Sequence, residues 1–157
     1  DSSVSTLLTG SFAGMPAYRV RRLKDASGAN QHYRLSQYLL LQGNKDYAFS
    51  FFSKTDNTSS VRVQTFGGSG ANTSYGGGVW DLNTGANVDD WNEGIINTGF
   101  ASSPIAGGHY ITYFFRTAAF TQGMDFGFAS DNAAIGSSII VTGVQLELVE
   151  NYCLPGP

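Results

Sequence analysis

The chain has 157 residues, a one-domain length with room for a sizeable core, and is 41% hydrophobic and 13% aromatic but only 13% charged, with 20 glycines. Ser, Thr and Asn stand where charge usually does; that mix suits a turn-rich β protein and excludes a helical bundle, whose outer face needs Glu, Lys and Arg. A net charge of −3 argues against nucleic acid as a partner, because phosphates demand concentrated basic surface.

Residues 1–17 are rich in Ser, Thr and Gly, with Met15-Pro16 as a breaker, and read as a lead-in arm before a folded domain over 18–157. Asp1-Ser2-Ser3 carries neither a basic nor an apolar leader region, so no signal peptide is expected. Tyr18–Leu23 predicts a short strand. Arg19, Arg21 and Arg22, with Lys24, make the one basic cluster, which is outweighed as a phosphate site because two Arg on alternating strand positions read as a solvated face. Asp25–Asn30 has turn composition. His32–Leu41 predicts a long strand with Tyr33, Leu35, Leu39 and Leu41 on one face and Gln37 among them.

A hairpin loop at 42–46 leads into Tyr47–Lys54, with Tyr47, Phe49 and Phe51 opposite Ala48, Ser50 and Phe52. Val61–Phe66 follows, with Val61 and Val63 inward. Gly67–Gly78, half of it glycine, reads as a long loop carrying one aromatic, Tyr75. Val79–Leu82 and Ala86–Val88 flank Asn83-Thr84-Gly85, a three-residue hairpin turn with glycine at the left-handed position. Asp89–Glu93 is an acidic stretch around Trp91, Ile95-Ile96 is brief, and Ser102–Gly108 reads as a loop around Pro104. His109–Arg116 predicts a strand apolar on both faces, and Met124–Phe128 alternates again.

Ser138–Val149 is the longest run. Ile139, Ile140 and Val141 are apolar in succession and predict cover on both faces; Val144, Leu146 and Leu148 alternate with Gln145 and Glu147. A terminal strand of this length belongs inside a sheet. No window of 18 apolar residues exists, so no membrane span is expected. Cys153, the one cysteine, has no internal disulfide partner. About ten short strands with no 3.6-residue period make the chain all-β, and apolar residues on both faces of the long strands favour two packed antiparallel sheets. The expected core is Val20, Leu35, Leu39, Phe49, Phe51, Val63, Ile111, Phe126, Val144, Leu146 and Leu148. Gln37 and Gln145 are expected as hydrogen-bonded amides within the sheets.

The order of motifs resembles a known family. Gln37, Leu39, Leu41, Gly43, Tyr47-Ala48-Phe49-Ser50 and Lys54 look like the opening of the carbohydrate-binding-module-like jelly rolls of bacteriophage structural proteins. Trp80-Asp81-Leu82-Asn83-Thr84-Gly85 resembles their hairpin, Gly108-His109-Tyr110 stands where they often have Gly-Trp-Tyr, and Val141-Thr142-Gly143-Val144-Gln145-Leu146-Glu147 is similar to their closing motif. The resemblance runs from about Ala17 to Val149. It implies a jelly-roll β-sandwich of about eight to ten strands in a tail fibre, tailspike, head fibre or decoration protein of the virion, often as a homotrimer beside other virion proteins. His109 departs from the usual Trp, and the usual continuation after Glu147 is absent.

The chemistry-bearing residues weigh toward binding rather than catalysis. Asp81, Asp89, Asp90 and Glu93 lie near one another, but a glycosidase needs two carboxylates facing across a cleft, and loop acids explain them equally well. His32 and His109 lack metal spacing, and no Gly-x-Ser-x-Gly elbow exists. No cofactor is expected, beyond a structural calcium at Asp125 or Asp131 that the solvated reading outweighs. Sugar rings stack their C–H faces on flat aromatics while amides and carboxylates take the hydroxyls. The candidate carbohydrate-binding residues are therefore Tyr75, Trp91, Trp80, Asp89, Asp90, Asn92 and His109, with core packing the better reading for Trp80. The expected function is recognition of a host surface glycan; the alternative is a purely structural decoration or trimerisation module. Low charge favours the latter equally, since charged groups are costly to desolvate at a protein interface.

Overall fold

The computed structural model describes residues 3–23, 35–67, 73–105, 107–119, 122–130 and 134–149. Here the period-two patterning becomes eleven strands and no helix: β1 (Ser3–Phe12), β2 (Met15–Arg22), β3 (Leu35–Leu41), β4 (Asp46–Thr55), β5 (Ser60–Gly67), β6 (Ser74–Asp81), β7 (Asn87–Glu93), β8 (Ile96–Ile105), β9 (Gly108–Arg116), β10 (Gln122–Ser130) and β11 (Ser138–Leu148). They form a six-stranded sheet A, ordered β1-β2-β11-β4-β9-β8, and a five-stranded sheet B, ordered β3-β10-β5-β6-β7. Neighbouring strands pair antiparallel throughout. Setting aside β1, β7 and β8 leaves β2-β11-β4-β9 facing β3-β10-β5-β6, with the chain stepping from sheet to sheet. This is the double Greek key of a jelly roll.

The expected closing strand lies inside sheet A, between β2 and β4. Ile139, Ile140, Val141 and Thr142 are all buried, as their unbroken apolar run requires. Its second half departs from expectation: Val144 is 46% exposed, Leu148 is exposed and Leu146 only partly buried. Pairing with β2 ends at Val141, and the register to β4 shifts between Thr142 and Gln145, where Gly143 takes φ +59°. A bulge of this kind re-aims every later side chain. The Thr142 hydroxyl donates to the Pro16 carbonyl at the bulge.

The main core unites Val20, Leu41, Tyr47, Phe49, Phe51, Val61, Val63, Trp80, Ile95, Ile111, Tyr113, Phe115, Ile139 and Val141, with Leu39 and Leu146 against it. Aromatic rings form a column through it: Trp80 meets Phe100 edge-on, Phe100 stacks on Tyr113, Tyr113 on Phe115, and Phe115 on Tyr47. The side chains of Leu35 and Phe126, also expected there, lie outside the described set. Gln37 and Gln145, expected as buried amides, are exposed: Gln37 lies on an edge strand and Gln145 beyond the bulge.

Residues expected as an irregular lead-in arm include a full strand, β1, folded back on β2. The turn between them uses Ala13 and Gly14 at positive φ. The tip of this hairpin makes a second apolar cluster: Phe12, Ala17 and Ile140 with Ala13 and Phe52. Phe12 meets Phe52 edge-on and the Lys54 ammonium lies over its ring. Burying Phe12 is a reason for the strand that Ser/Thr composition hides.

Arg19 reaches from β2 to Asp56, with Nε 2.6 Å from Oδ2, and the Ser138 hydroxyl donates to the same oxygen. The Arg19 hydrogen bond chiefly, aided by Ser138, holds the Asp56 carboxyl below its ordinary range against the opposing effect of burial. Arg116 does the same for Asp46. A depressed folded-state pKa contributes stability above the unfolded value of about 3.9 and loses it as pH falls through the folded value. The melting temperature is therefore expected to hold from pH 7 to 5 and fall below about pH 4. Asp56→Asn should lower it at pH 7 and leave it nearly unchanged at pH 2, as thermal melts across pH would read.

Candidate functional site

The segment expected as a glycine-rich loop enters sheet B as β6, so Tyr75 sits in a strand; residues 68–72 lie outside the described set. Close approach explains the glycines. A Cβ on Gly76 would strike Ile95 and the Tyr113 hydroxyl, one on Gly77 the Val63 carbonyl oxygen, and one on Gly78 the Asn87 amide and Asp89 carbonyl. The acidic stretch around Trp91 is likewise a strand, β7, which pairs with β6 and forms the edge of the sheet.

Register then decides which side chains share a face, since opposed residues point the same way. Val61, Val63 and Thr65 face the core, so Arg62, Gln64 and Phe66 face out. Phe66 pairs with Tyr75, Gln64 with Gly77, and Gly77 with Trp91. Across the sheet, Gly127 pairs with Gln64, and on β3 Tyr38 and Leu40 are 65% and 73% exposed. Gly127 and Gly77, which carry no side chains, flank Gln64 along that row. Phe66 and Tyr75 stand in the neighbouring row on one side, Arg62 in the neighbouring row on the other, and Trp91 at the end of the row. The Arg62 guanidinium lies 4.3 Å over the Trp91 ring, and the Tyr75 hydroxyl donates to Glu93. That hydrogen bond is the main reason the Tyr75 phenol is held above its ordinary pKa. The Gln64 carbonyl oxygen is buried in this row with no partner.

The residues expected to bind sugar thus separate. Tyr75, Asp89 and Trp91 belong to the outer face of sheet B. Asp90 and Asn92 leave β7 on the other side, toward β8: Asn97 donates to the Asp90 carboxylate at 3.3 Å, and Asn92 donates to the Ile95 carbonyl. Asn97 also accepts from the Tyr113 hydroxyl at 2.7 Å. Burial, more than the nearby Asp90 charge, raises that phenol's pKa far beyond its ordinary range. Trp80 is fully buried, so its ring packs the core and meets no solvent. His109 lies at one end of the sandwich, 8% exposed, well apart in the fold from Trp91.

The carboxylates considered for catalysis are engaged separately. Asp81 Oδ1 accepts from the Asn83 backbone within the turn, Glu93 accepts from Tyr75, and Asp89 and Asp90 leave opposite sides of β7. Among the described residues no group of three His, Cys, Asp or Glu is placed to hold a metal ion. The calcium candidates Asp125 (side chain) and Asp131, with His32, Lys24 and Cys153, lie outside the described set. Arg19 and Arg21 share the outward face of β2, Arg19 paired with Asp56, whereas Arg22 is buried on the opposite face beside Val20, so the basic run is divided between the two faces.

Sequence reasoning missed Arg62, Gln64, Phe66 and Tyr38. For β5 the signal was present: Val61 and Val63 facing in require Arg62 and Gln64 facing out. Their meeting with Trp91 depends on strand order, which no local pattern carries. Comparison with known families finds no matching family model, and comparison with curated proteins finds no match.

Proposed function

We propose that this jelly roll is a non-enzymatic recognition module of a phage particle, carried at a fibre or spike tip, that binds a host surface glycan across the outer face of sheet B. The observation carrying this reading is the row Gly127-Gln64-Gly77-Trp91 on the outer face of sheet B, with Phe66, Tyr75 and Arg62 beside it. A sugar laid along it meets flat rings for its C–H faces and Arg62, Gln64, Asp89 and Glu93 for its hydroxyls. The motif order resembling phage jelly rolls supports the placement on a virion, as a homotrimer.

The second reading, a structural module with no small ligand, is favoured by Tyr38 and Leu40. Two large exposed apolar side chains on an edge strand suit contact with a second copy or another virion protein.

Glycan-array binding of the intact chain and of Trp91→Ala tests the first reading. We expect binding that Trp91→Ala weakens at least about 10-fold, with a stability change of about 1 kcal/mol or less, because the ring is only partly buried. A silent array together with a tight trimer by sedimentation would instead establish the second.

A further inference from the structure

Sheet A has a free edge besides its outermost strands. β2 flanks β11 as far as the pair Val141 with Tyr18 and then leaves it. Pro16 stands two residues beyond that pair and has no N–H to give a ladder; its carbonyl accepts from the Thr142 hydroxyl instead. The tip of the β1–β2 hairpin packs on Ile140 and Phe52 rather than following β11. Among the described residues, 145–148 therefore pair with β4 alone.

The backbone along this edge is open. Val149 donates its N–H to the Asp46 carbonyl, one step beyond the pair Leu148 with Tyr47. Bonded and unbonded pairs alternate in an antiparallel ladder. Gln145 and Glu147 therefore bond β4, and the N–H and C=O of Leu146 and Leu148 point away from it. The side chains suit a partner too. Val144 is 46% and Leu148 38% exposed. Gln145 and Glu147 are exposed on the other side of the strand, opposite the small residues Ser50 and Ala48. The outermost strands of sheet A are less open to addition, because Pro104 lies in β8 and β1 changes register between Leu7 and Ser11.

We propose that residues 144–148 pair antiparallel with the same residues of a second copy of this chain, around a two-fold axis at Leu146. The alternation Val-Gln-Leu-Glu-Leu is complementary to itself in that register. Leu146 faces the partner's Leu146, Val144 faces the partner's Leu148, and Gln145 faces the partner's Glu147. The Gln145 amide donates to that carboxylate, and symmetry repeats the bond. A slip of two residues one way would set Glu147 against the partner's Glu147, and like charges directly opposite destabilise a sheet. A slip the other way would set Glu147 against the partner's Gly143, in the bulge. A two-fold contact closes on two copies. It makes a dimer, or a hexamer where the three-fold contact of a virion trimer also forms. It uses neither the outer face of sheet B nor β3, and it rests on neither reading given above.

Sedimentation of the intact chain across a concentration series tests it. The expected result is reversible doubling of mass, from monomer to dimer or from trimer to hexamer. The dissociation constant should be on the order of 10–100 μM, because one short strand pair is a small interface. Gln145→Glu sets like charges opposite each other twice and should weaken the doubling about 10-fold. Gln145→Lys should tighten it, and adding Glu147→Lys to Gln145→Glu should restore it. Both positions are exposed, so the melting temperature of the dissociated chain should move little. Trp91→Ala should leave the doubling unchanged. A chain that stays monomeric or purely trimeric up to about 1 mM overturns the proposal. So does a Gln145→Glu variant that doubles like the parent, or a double variant no better than Gln145→Glu alone.

Discussion

Trp80→Ala is expected to cost about 3–5 kcal/mol, a large part of the total for a domain whose net stability is about 5–15 kcal/mol. Trp80 has no exposed surface and heads the aromatic column through Phe100, Tyr113, Phe115 and Tyr47. Removing the indole leaves a cavity that two stiff sheets close poorly, and it strips Phe100 of its edge-on neighbour. Urea denaturation should show the midpoint collapse with the slope unchanged. The chain has two tryptophans, so fluorescence separates their roles. Trp80 should emit at short wavelength in the folded protein, and Trp91, only partly buried, at longer wavelength. A Trp80→Ala variant as stable as the parent would mean that the ring does not fill the core.

Gly77→Ala is expected to be nearly as damaging, at about 3 kcal/mol, although it adds only one methyl group. Gly77 stands in the middle of sheet B, paired with Gln64 on one side and Trp91 on the other, with φ +155°. Its Cβ would enter the Val63 carbonyl oxygen, a backbone atom of the neighbouring strand that has no rotamer to escape into. Accommodating it must push β6 away from β5, at the expense of ladder hydrogen bonds. Gly99→Ala is the control, because the nearest atom there is Phe114 at 3.6 Å, an ordinary contact. Thermal melts of both variants should show a large drop for the first and little change for the second. Because Trp91 lies opposite Gly77, the glycan binding proposed for this face should fall along with stability.

The contrast between these glycines shows how a residue type can mislead when read locally. Six glycines within 67–78 look like a loop, because glycine is the usual residue of turns. The same residue is equally at home in a strand where another backbone passes too close for a side chain, and only the neighbouring strand says which applies. Gly85 is the converse. Its place after Asn83-Thr84 marked it as a left-handed turn position, and it has φ +78°, because turn chemistry is local. The lead-in segment was read as irregular for a related reason. Within its own stretch Phe12 has only the small side chains of Ala13 and Ala17, and it finds Ile140 and Phe52 only after β11 and β4 are in place.

The candidate site was legible by residue type but not by position. Tyr75 and Trp91 were singled out from their polar surroundings, and both lie on the outer face of sheet B. His109 was grouped with them by composition and lies at an end of the sandwich. Trp80 carries the same side chain as Trp91, eleven positions earlier, and points inward; the register shift between Val79 and Trp80 lies beside it.

From the sequence alone came the all-β class, the two-layer packing, most strand positions and the buried first half of β11. Alternation and apolar runs are properties of a single strand and survive without knowledge of its neighbours. The tertiary structure decided strand order, the bulge at Gly143 that turns Val144 and Leu148 outward, the placement of three glycines inside a sheet, and the division of the aromatics among core, outer face and end of the sandwich. Those outcomes depend on pairing between residues far apart in the chain. A one-residue shift in such pairing exchanges the two faces of a strand, so no local pattern contains them.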